Sequence, residues 1–175
     1  MRKLAALWIV FFSLALISCS GNQKSSDANK GKALTEKQLI QLNKGWVEQE
    51  KTEIDNFIKE KHWSLKETST GLRYMIYHDG NGKRAREGEF ATISYTVKLL
   101  NGTVLYSSAV SGLKTFEIGH GNVASGLEEG IILLNVGDKA KFILPSHLAF
   151  GLSGDGYKIP PNVPIIYDVE LVQLK

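Results

Sequence analysis

The spacing of hydrophobic residues changes along the chain and divides it into four segments. Residues 4–17 are apolar except for Ser13, whereas residues 20–33 contain no large apolar side chain. From residue 36 the apolar positions recur every three or four residues, the period of a helix face, and after Ser69 they alternate, the period of a strand. The pattern predicts a leader (residues 1–18), a tether (19–33), a helical segment (34–66) and a largely β domain (67–175).

The helical segment predicts one charged, amphipathic helix from about Glu36 to about Lys61. Residues 35–38, Thr-Glu-Lys-Gln, have the form of a capping box. The apolar stripe that follows is formed by Leu39, Leu42, Trp46, Ile54, Phe57 and Ile58. It is narrow and is interrupted by Gly45 and Glu50, so the helix needs a surface to cover. That surface can be its own domain or a second copy of the chain.

The last segment predicts an α+β domain. Four alternating runs each place one apolar face on a strand: Leu72, Tyr74 and Ile76; Ile93, Tyr95, Val97 and Leu99; Ala140, Phe142 and Leu144; Ile165, Tyr167, Val169 and Leu171. Asn101-Gly102 is a strong hairpin signal after the second run. Apolar residues from Val123 to Leu134 have helical spacing, and that helix is expected to end near Gly137. We therefore expect an antiparallel sheet wrapped around one short helix.

The first nineteen residues are typical of an exported protein. Met1-Arg2-Lys3 is followed by an apolar run shorter than the ~20 residues that span a bilayer, which favours a signal peptide over a transmembrane helix. The end of the run, Leu-Ile-Ser-Cys19, resembles a bacterial lipobox, in which cleavage before the cysteine precedes its acylation. Cys19 is the predicted lipidation site, and an ordinary leader with a stray cysteine is the alternative. Two or three acyl chains would anchor the protein in the inner or outer membrane, with the periplasmic face favoured.

Composition excludes several kinds of site. Lys and Arg number 21 and Asp and Glu 18, a balance that gives no reason to expect a nucleic-acid partner. A single cysteine rules out an intramolecular disulfide and a thiolate zinc cage. The four histidines lack metal-ligand spacing, and Ser107 and Ser108 lack the setting of a catalytic serine. We therefore expect no metal and no cofactor.

Eight short sequence blocks in the domain resemble, in order, the signatures of FKBP-type peptidyl-prolyl isomerases. They are Tyr95-Thr96 with Asn101-Gly102 and Ser107-Ser108, Gly126-Leu127-Glu128-Glu129-Gly130, Val136-Gly137-Asp138-Lys139-Ala140, Pro145-Ser146-His147-Leu148-Ala149-Phe150-Gly151, Ile159-Pro160-Pro161-Asn162 and Tyr167-Asp168-Val169-Glu170-Leu171. The resemblance covers residues 70–175 and implies a half-barrel sheet curled around the short helix. The lipobox, the charged helix and the block at residues 70–74 are further similar to FKBP lipoproteins of Bacteroidetes, including those associated with gliding motility.

The resemblance implies that the chain isomerises X-Pro bonds in protein or peptide substrates. This reaction is slow because the amide resonance must be broken. Twisting the bond makes it less polar, so a dry apolar pocket stabilises the transition state. The family site implies three catalytic residues, Phe150, Ile159 and Tyr167, with the Ile159 N–H donating to a substrate carbonyl. It implies six substrate-binding residues, Tyr95, Leu105, Tyr106, Val123, Ala124 and Leu127.

Three positions depart from the family pattern. Tyr106 replaces an aspartate, Phe150 lacks a hydroxyl that a tyrosine would supply, and Ala124 replaces a larger aliphatic residue. Leu105 and Leu127 also stand where Phe and Trp are usual, so we expect a wider, less polar pocket with reduced isomerase activity. The glycine- and proline-rich loop at residues 151–164 is expected to rim the pocket.

Two functions stay open: an envelope folding enzyme, and a weakly catalytic chaperone or binding module. Either of them can use the helix to form a homodimer.

Overall fold

The computed structural model describes residues 35–175. The predicted signal peptide, the lipidation site Cys19 and the tether lie outside the described residues. Among residues 35–175, none of the helices combines the length and the apolar composition that crossing a membrane requires.

The described residues form three helices and seven strands. In chain order they are α1 (Glu36–Lys61), β1 (Lys66–Glu67), β2 (Arg73–His78), β3 (Phe90–Leu99), β4 (Val104–Ser107), α2 (Ser108–Ser111), β5 (Lys114–Glu117), α3 (Ser125–Ile131), β6 (Lys139–Leu144) and β7 (Ile165–Leu174). The strands build one antiparallel sheet in the order β1-β2-β6-β7-β3-β4, and β5 pairs with β3. The predicted α+β class is confirmed, while the short elements α2 and β5 were not predicted.

The inner face of the sheet carries the main hydrophobic core. Alternation along β3, β6 and β7 turns toward it the apolar faces predicted from the sequence, including Ile93, Phe142 and Val169. The register sets Val97 opposite Tyr167 on one side of β7 and Phe142 opposite Tyr167 on the other. Tyr167 therefore stands at the centre of the inner face.

Helix α3 packs very closely against the inner face of the sheet. A Cβ placed on Gly130 would lie 2.6 Å from the ring of Phe142, and one on Gly126 would lie 2.7 Å from Leu144. Both glycines are buried, so their lack of a side chain is what lets α3 lie on β6. The helix ends at Ile131, six residues before Gly137, because the chain tightens into turns in which the Leu133 and Leu134 N–H groups bond three residues back.

Helix α1 has the predicted bounds and packs on the outer face of the sheet with its C-terminal half. Ile54 is 1% exposed and lies against Ile143 and Ile166, which alternate with the inner-face residues of β6 and β7. The Phe57 and Trp63 rings meet edge to face at 5.5 Å. The N-terminal half is different, because its apolar residues Leu39, Ile40, Leu42, Trp46 and Val47 are exposed. The helix therefore covers its own domain over only part of its length.

Candidate active site

A cavity of about 310 Å³ opens on the inner face of the sheet, and we call it the inner-face cavity. Six of the nine predicted site residues line it: Tyr95, Tyr106, Val123, Ala124, Phe150 and Tyr167. They come from β3, β4, the segment before α3, the segment after β6, and β7. Residues up to 72 positions apart in sequence are therefore brought to one concave site.

Four of the ten residues that line the cavity are aromatic. Tyr95 and Tyr167 project from β3 and β7, and Phe150 lies just before the loop at residues 151–164. Tyr167 is 7% exposed, and burial raises the pKa of its phenol above the usual range. The phenol therefore stays neutral at physiological pH.

Three predicted site residues do not line the cavity. Leu105, Leu127 and Ile159 are 8%, 0% and 3% exposed and belong to the hydrophobic core. Leu127, predicted as a substrate-binding residue, lies on α3 and is fully buried.

Four lining residues were missed by the sequence reading: Val97, Lys114, Asn122 and Asp155. Asp155 had a usable signal, because an aspartate between two glycines often bonds the backbone N–H groups that follow it. Asp155 lies in the segment 151–164, which we call the rim loop. The expectation that this loop rims the site is confirmed by the position of Asp155 in the cavity wall.

The Asp155 carboxylate gathers four hydrogen bonds. Its Oδ1 accepts from the backbone N–H groups of Tyr157, Lys158 and Ile159, with N···O distances of 2.9, 2.8 and 2.7 Å. Its Oδ2 accepts from the Tyr106 hydroxyl. One side chain thus joins the rim loop to β4.

This arrangement corrects the role predicted for Ile159. Its N–H was expected to donate to a substrate carbonyl, but it donates to Asp155 inside its own loop. The loop folds back on itself because Gly154 adopts φ +65°, and a Cβ there would lie 2.2 Å from the Ile159 carbonyl oxygen. The Ile159 donor is therefore already occupied.

A second backbone donor is available at Ala124. This residue is the N-cap of α3 and lines the cavity, and its carbonyl accepts from the Leu127 and Glu128 N–H groups. Within the described part of the chain, the Ala124 N–H itself has no hydrogen-bond acceptor. This N–H is therefore free to donate to a bound carbonyl oxygen.

The charges in the cavity are fixed by the same contacts. The hydrogen bond to Asp155 raises the pKa of Tyr106 to about 12, with burial adding to the effect. Burial alone would raise the pKa of Asp155, but the bonds from Tyr106 and three backbone N–H groups outweigh it and lower the pKa to about 2. Tyr106 is thus a neutral donor and Asp155 an ionised acceptor from about pH 4 to pH 10. Tyr106 replaces an aspartate, as the sequence indicated, and Asp155 supplies a carboxylate to the cavity from another position.

Comparisons with known proteins agree with this geometry. The family model described as FKBP-type peptidyl-prolyl cis-trans isomerase matches residues 81–172, just over half of the chain. The chain is similar to a probable FKBP-type peptidyl-prolyl cis-trans isomerase FkpA of Neisseria meningitidis, with 36% identity over 138 residues that make up 77% of this chain and 50% of the relative. It is 41% identical over 111 residues to FK506-binding protein 2 of Yarrowia lipolytica, covering 63% of this chain and 77% of that protein.

Solved structures show the same fold. The crystal structure of AtFKBP13 aligns with a TM-score of 0.62 at 30% identity, covering 65% of this chain and all of that one. FkpA from Escherichia coli aligns with a TM-score of 0.64 over 82% of this chain, at 23% identity, a likeness of fold alone. The chain spans between 42% and 60% of the length of the bacterial relatives that it matches.

Proposed function

The chain belongs to the family of FKBP-type peptidyl-prolyl cis-trans isomerases, and from this membership we propose that it isomerises X-Pro bonds in protein substrates. The observation that carries the proposal is the inner-face cavity, in which Tyr95, Phe150 and Tyr167 line one space together with Ala124. Its volume lies at the lower end of the ~300–1,000 Å³ usual for small-ligand sites. A prolyl ring and the carbonyl before it are groups of matching size and polarity.

The proposed mechanism uses surroundings rather than a reacting group. Aromatic walls hold the prolyl ring and exclude water, and the Ala124 N–H holds the carbonyl oxygen of the preceding residue. When the C–N bond twists, resonance is lost and the imide becomes less polar. An apolar site favours that twisted state over the planar one, which lowers the barrier.

A protease-free isomerase assay on the purified chain tests this proposal. We expect catalysis above the spontaneous rate, at least a tenfold loss in Tyr167→Ala and Phe150→Ala, and no loss in Phe90→Ala. Phe90 is a matched control because it is an exposed phenylalanine at the start of β3. A flat rate from wild-type protein shown to be folded by circular dichroism would refute the proposal.

A chaperone or binding function is the second candidate, and one observation favours it. The N-terminal half of α1 exposes Leu39, Leu42 and Trp46 at 47%, 43% and 54%. Such a stripe can hold apolar segments of an unfolded protein or pair with a second copy of α1. The triple Leu39→Ser, Leu42→Ser, Trp46→Ser variant should lose suppression of citrate synthase aggregation if this function is real, while retaining isomerase activity.

The same variant tests the proposed homodimer. Sedimentation equilibrium of wild type should give twice the chain mass, and the triple variant should give the mass of one chain. A wild-type protein that stays monomeric at high concentration would leave the exposed stripe to other partners and would remove the dimer from the proposal.

We also propose that the chain works in the cell envelope as a lipoprotein. Support comes from the lipobox at Cys19 and the apolar leader before it. Mass spectrometry of the protein from its native membrane should find cleavage before Cys19 and acyl chains on that residue. Cys19→Ser should abolish acylation and release the protein from the membrane fraction.

A role in gliding motility is the narrowest part of the proposal. It rests on the similarity of residues 70–74 and of the leader to motility-associated lipoproteins. A deletion strain should glide poorly and recover with the wild-type chain. Normal gliding by a strain that still folds its secreted proteins normally would end this part of the proposal.

A further inference from the structure

Asp155 binds more partners than any other side chain at the inner-face cavity, although it is only partly buried. We propose that Asp155 is a positioning residue for substrate binding, because it holds the rim loop and the Tyr106 side chain in the arrangement that shapes the cavity. This inference rests on the proposed isomerase function. This role does not require Asp155 to contact the substrate.

The first part of the argument is the fold of the rim loop. Asp155 N–H donates to the Ile159 carbonyl at 3.1 Å, and Ile159 N–H donates to Asp155 Oδ1, so the segment 155–159 closes on itself at both ends. The enclosed Gly156, Tyr157 and Lys158 are exposed and make no core contact that could order them. Apart from the Lys158 side chain, which bonds the Leu105 carbonyl, the carboxylate is therefore the main group that orders this segment.

The second part is the bond between Asp155 and Tyr106. The Tyr106 hydroxyl has one proton, and that proton is donated to Asp155. Its oxygen can therefore only accept a further hydrogen bond, and the hydroxyl offers no donor to a substrate. Lys158 holds the same ring from another side, with its ammonium 5.1 Å from the ring centroid and donating to the Leu105 carbonyl at 3.1 Å.

Together these contacts fix which groups a substrate can reach. The rim loop is tied to β4, the Ile159 N–H is occupied, and the Ala124 N–H is left as a donor at a residue that lines the cavity. Without the carboxylate, the segment 155–159 would lose the bonds that order it, and a substrate would have to order the loop on binding. That ordering weakens binding and leaves the chemical step unchanged.

The kinetic test compares Asp155→Ala, Tyr106→Phe and their double variant with two controls, Ser153→Ala in the same loop and Asp79→Asn on a distant turn. The substrate is an Ala-Leu-Pro-Phe anilide. For Asp155→Ala we expect KM to rise about five- to tenfold with kcat within about twofold of wild type, and both controls to be unchanged. The double variant should match Asp155→Ala within about twofold, because the two residues act as a unit.

Asp155→Asn separates charge from shape. The amide oxygen can still accept from the three backbone N–H groups, so this variant should recover most of the loss in KM. A merely stabilising role would lower the melting temperature and leave KM unmoved. That result, or KM increases in the single variants that multiply in the double variant, would overturn the proposal.

Amide hydrogen exchange tests the same idea without catalysis. We expect the Tyr157, Lys158 and Ile159 amides to exchange at least tenfold faster in Asp155→Ala than in wild type, and the β7 amides to be unchanged. If wild type shows no isomerase activity, the proposed function fails, and binding of the same anilide is measured by NMR. Equal dissociation constants for wild type and Asp155→Ala, or unchanged exchange at residues 157–159, would then refute the role of Asp155.

Discussion

Glu50 of α1 binds both the backbone N–H and the hydroxyl of Ser146, a residue that follows β6. Its Oε1 accepts from the Ser146 N–H at 2.7 Å, and its Oε2 accepts from the Ser146 hydroxyl at 3.0 Å. Ser146 begins the short 3-10 turn that leads to Phe150, so this residue pair ties α1 to the segment that supplies one wall of the inner-face cavity. In the sequence, Glu50 looked like an interruption of the apolar stripe, but in the structure its carboxylate holds α1 against the segment at Ser146.

Removing this anchor should destabilise the domain. Glu50→Ala leaves the partly buried Ser146 N–H without its charged acceptor, and we expect a loss of about 1–3 kcal/mol in the free energy of unfolding. Urea denaturation measures the loss. Glu53→Ala, an exposed glutamate on the same helix, should change stability by less than about 0.5 kcal/mol. Equal effects of the two variants would contradict the assigned role of Glu50.

Two glycines in helices should respond to alanine in opposite directions. Gly130→Ala pushes a Cβ to 2.6 Å from the Phe142 ring, and the resulting overpacking should destabilise by about 1–3 kcal/mol. A Cβ added at Gly45 in α1 would meet no atom within 4 Å, so Gly45→Ala should stabilise by roughly 0.5–1 kcal/mol through helix propensity alone. Thermal unfolding of both variants decides the matter, and a stabilised Gly130→Ala would mean that α3 does not lie so close to β6.

The missing hydroxyl at Phe150 can be restored. Phe150→Tyr adds a donor at the wall of the inner-face cavity, and a new hydrogen bond to a bound carbonyl is worth about 0.5–1.5 kcal/mol, or roughly two- to tenfold in kcat/KM. Phe150→Leu keeps the site apolar without the ring and serves as the control, with an expected loss. A Phe150→Tyr variant no faster than wild type would show that substrate carbonyls do not reach this wall.

The apolar periodicity was sufficient to predict the sheet and α1. The alternation of apolar and polar residues in β3 and β7 predicted which faces of these strands point inward. The spacing of Ile54, Phe57 and Ile58 predicted the half of α1 that packs on the sheet. Both depend on repeated burial, which leaves a repeated signal. The end of α3 and the strand β5 were missed because each is set by one or two turns, where the sequence carries no repeat.

Residues of the inner-face cavity were predicted only at positions that align with the site of the family. Six of its lining residues were found in this way. The Gly-Asp-Gly pattern can indicate the turn at Asp155, but not its bond to Tyr106, which lies 49 positions away. Reading position 106 alone suggested that a carboxylate had been lost. In the folded chain, Asp155 of the rim loop places a carboxylate beside Tyr106. A contact of that kind follows from tertiary structure rather than from local sequence.

The pH dependence of stability should show the ionised state of Asp155. Its pKa is lowered to about 2 in the folded chain, so its contribution is present above the unfolded pKa near 4 and is lost as pH falls toward 2. The stability difference between wild type and Asp155→Asn should therefore shrink between about pH 4 and pH 2. From pH 5 to pH 9 it should stay constant, because Tyr106, with a pKa near 12, remains neutral. Urea denaturation across this range measures it, and a difference that grows on acidification would contradict the assignment.

The charge of Lys114 should bias substrate choice. This exposed residue of β5 lines the inner-face cavity and forms no ion pair with any residue from 35 to 175, whereas Asp155 is already taken up by its four bonds. An acidic side chain next to the proline can therefore meet an unpaired cation. An exposed pair of this kind is worth about 0.2–1 kcal/mol, so we expect Glu-Pro peptides to be turned over up to about fivefold faster than Gln-Pro peptides.

Salt and charge reversal separate this effect from shape. Exposed charge pairs are screened within about 3 Å at 1 M ionic strength, so the Glu-Pro preference should vanish there. Lys114→Glu should invert the preference at low salt, because the mouth of the cavity then carries a like charge. Lys37→Glu changes the net charge by the same amount on α1 and should leave the preference intact. A preference that survives both 1 M salt and Lys114→Glu would mean that pocket shape, and not this lysine, selects the residue beside the proline.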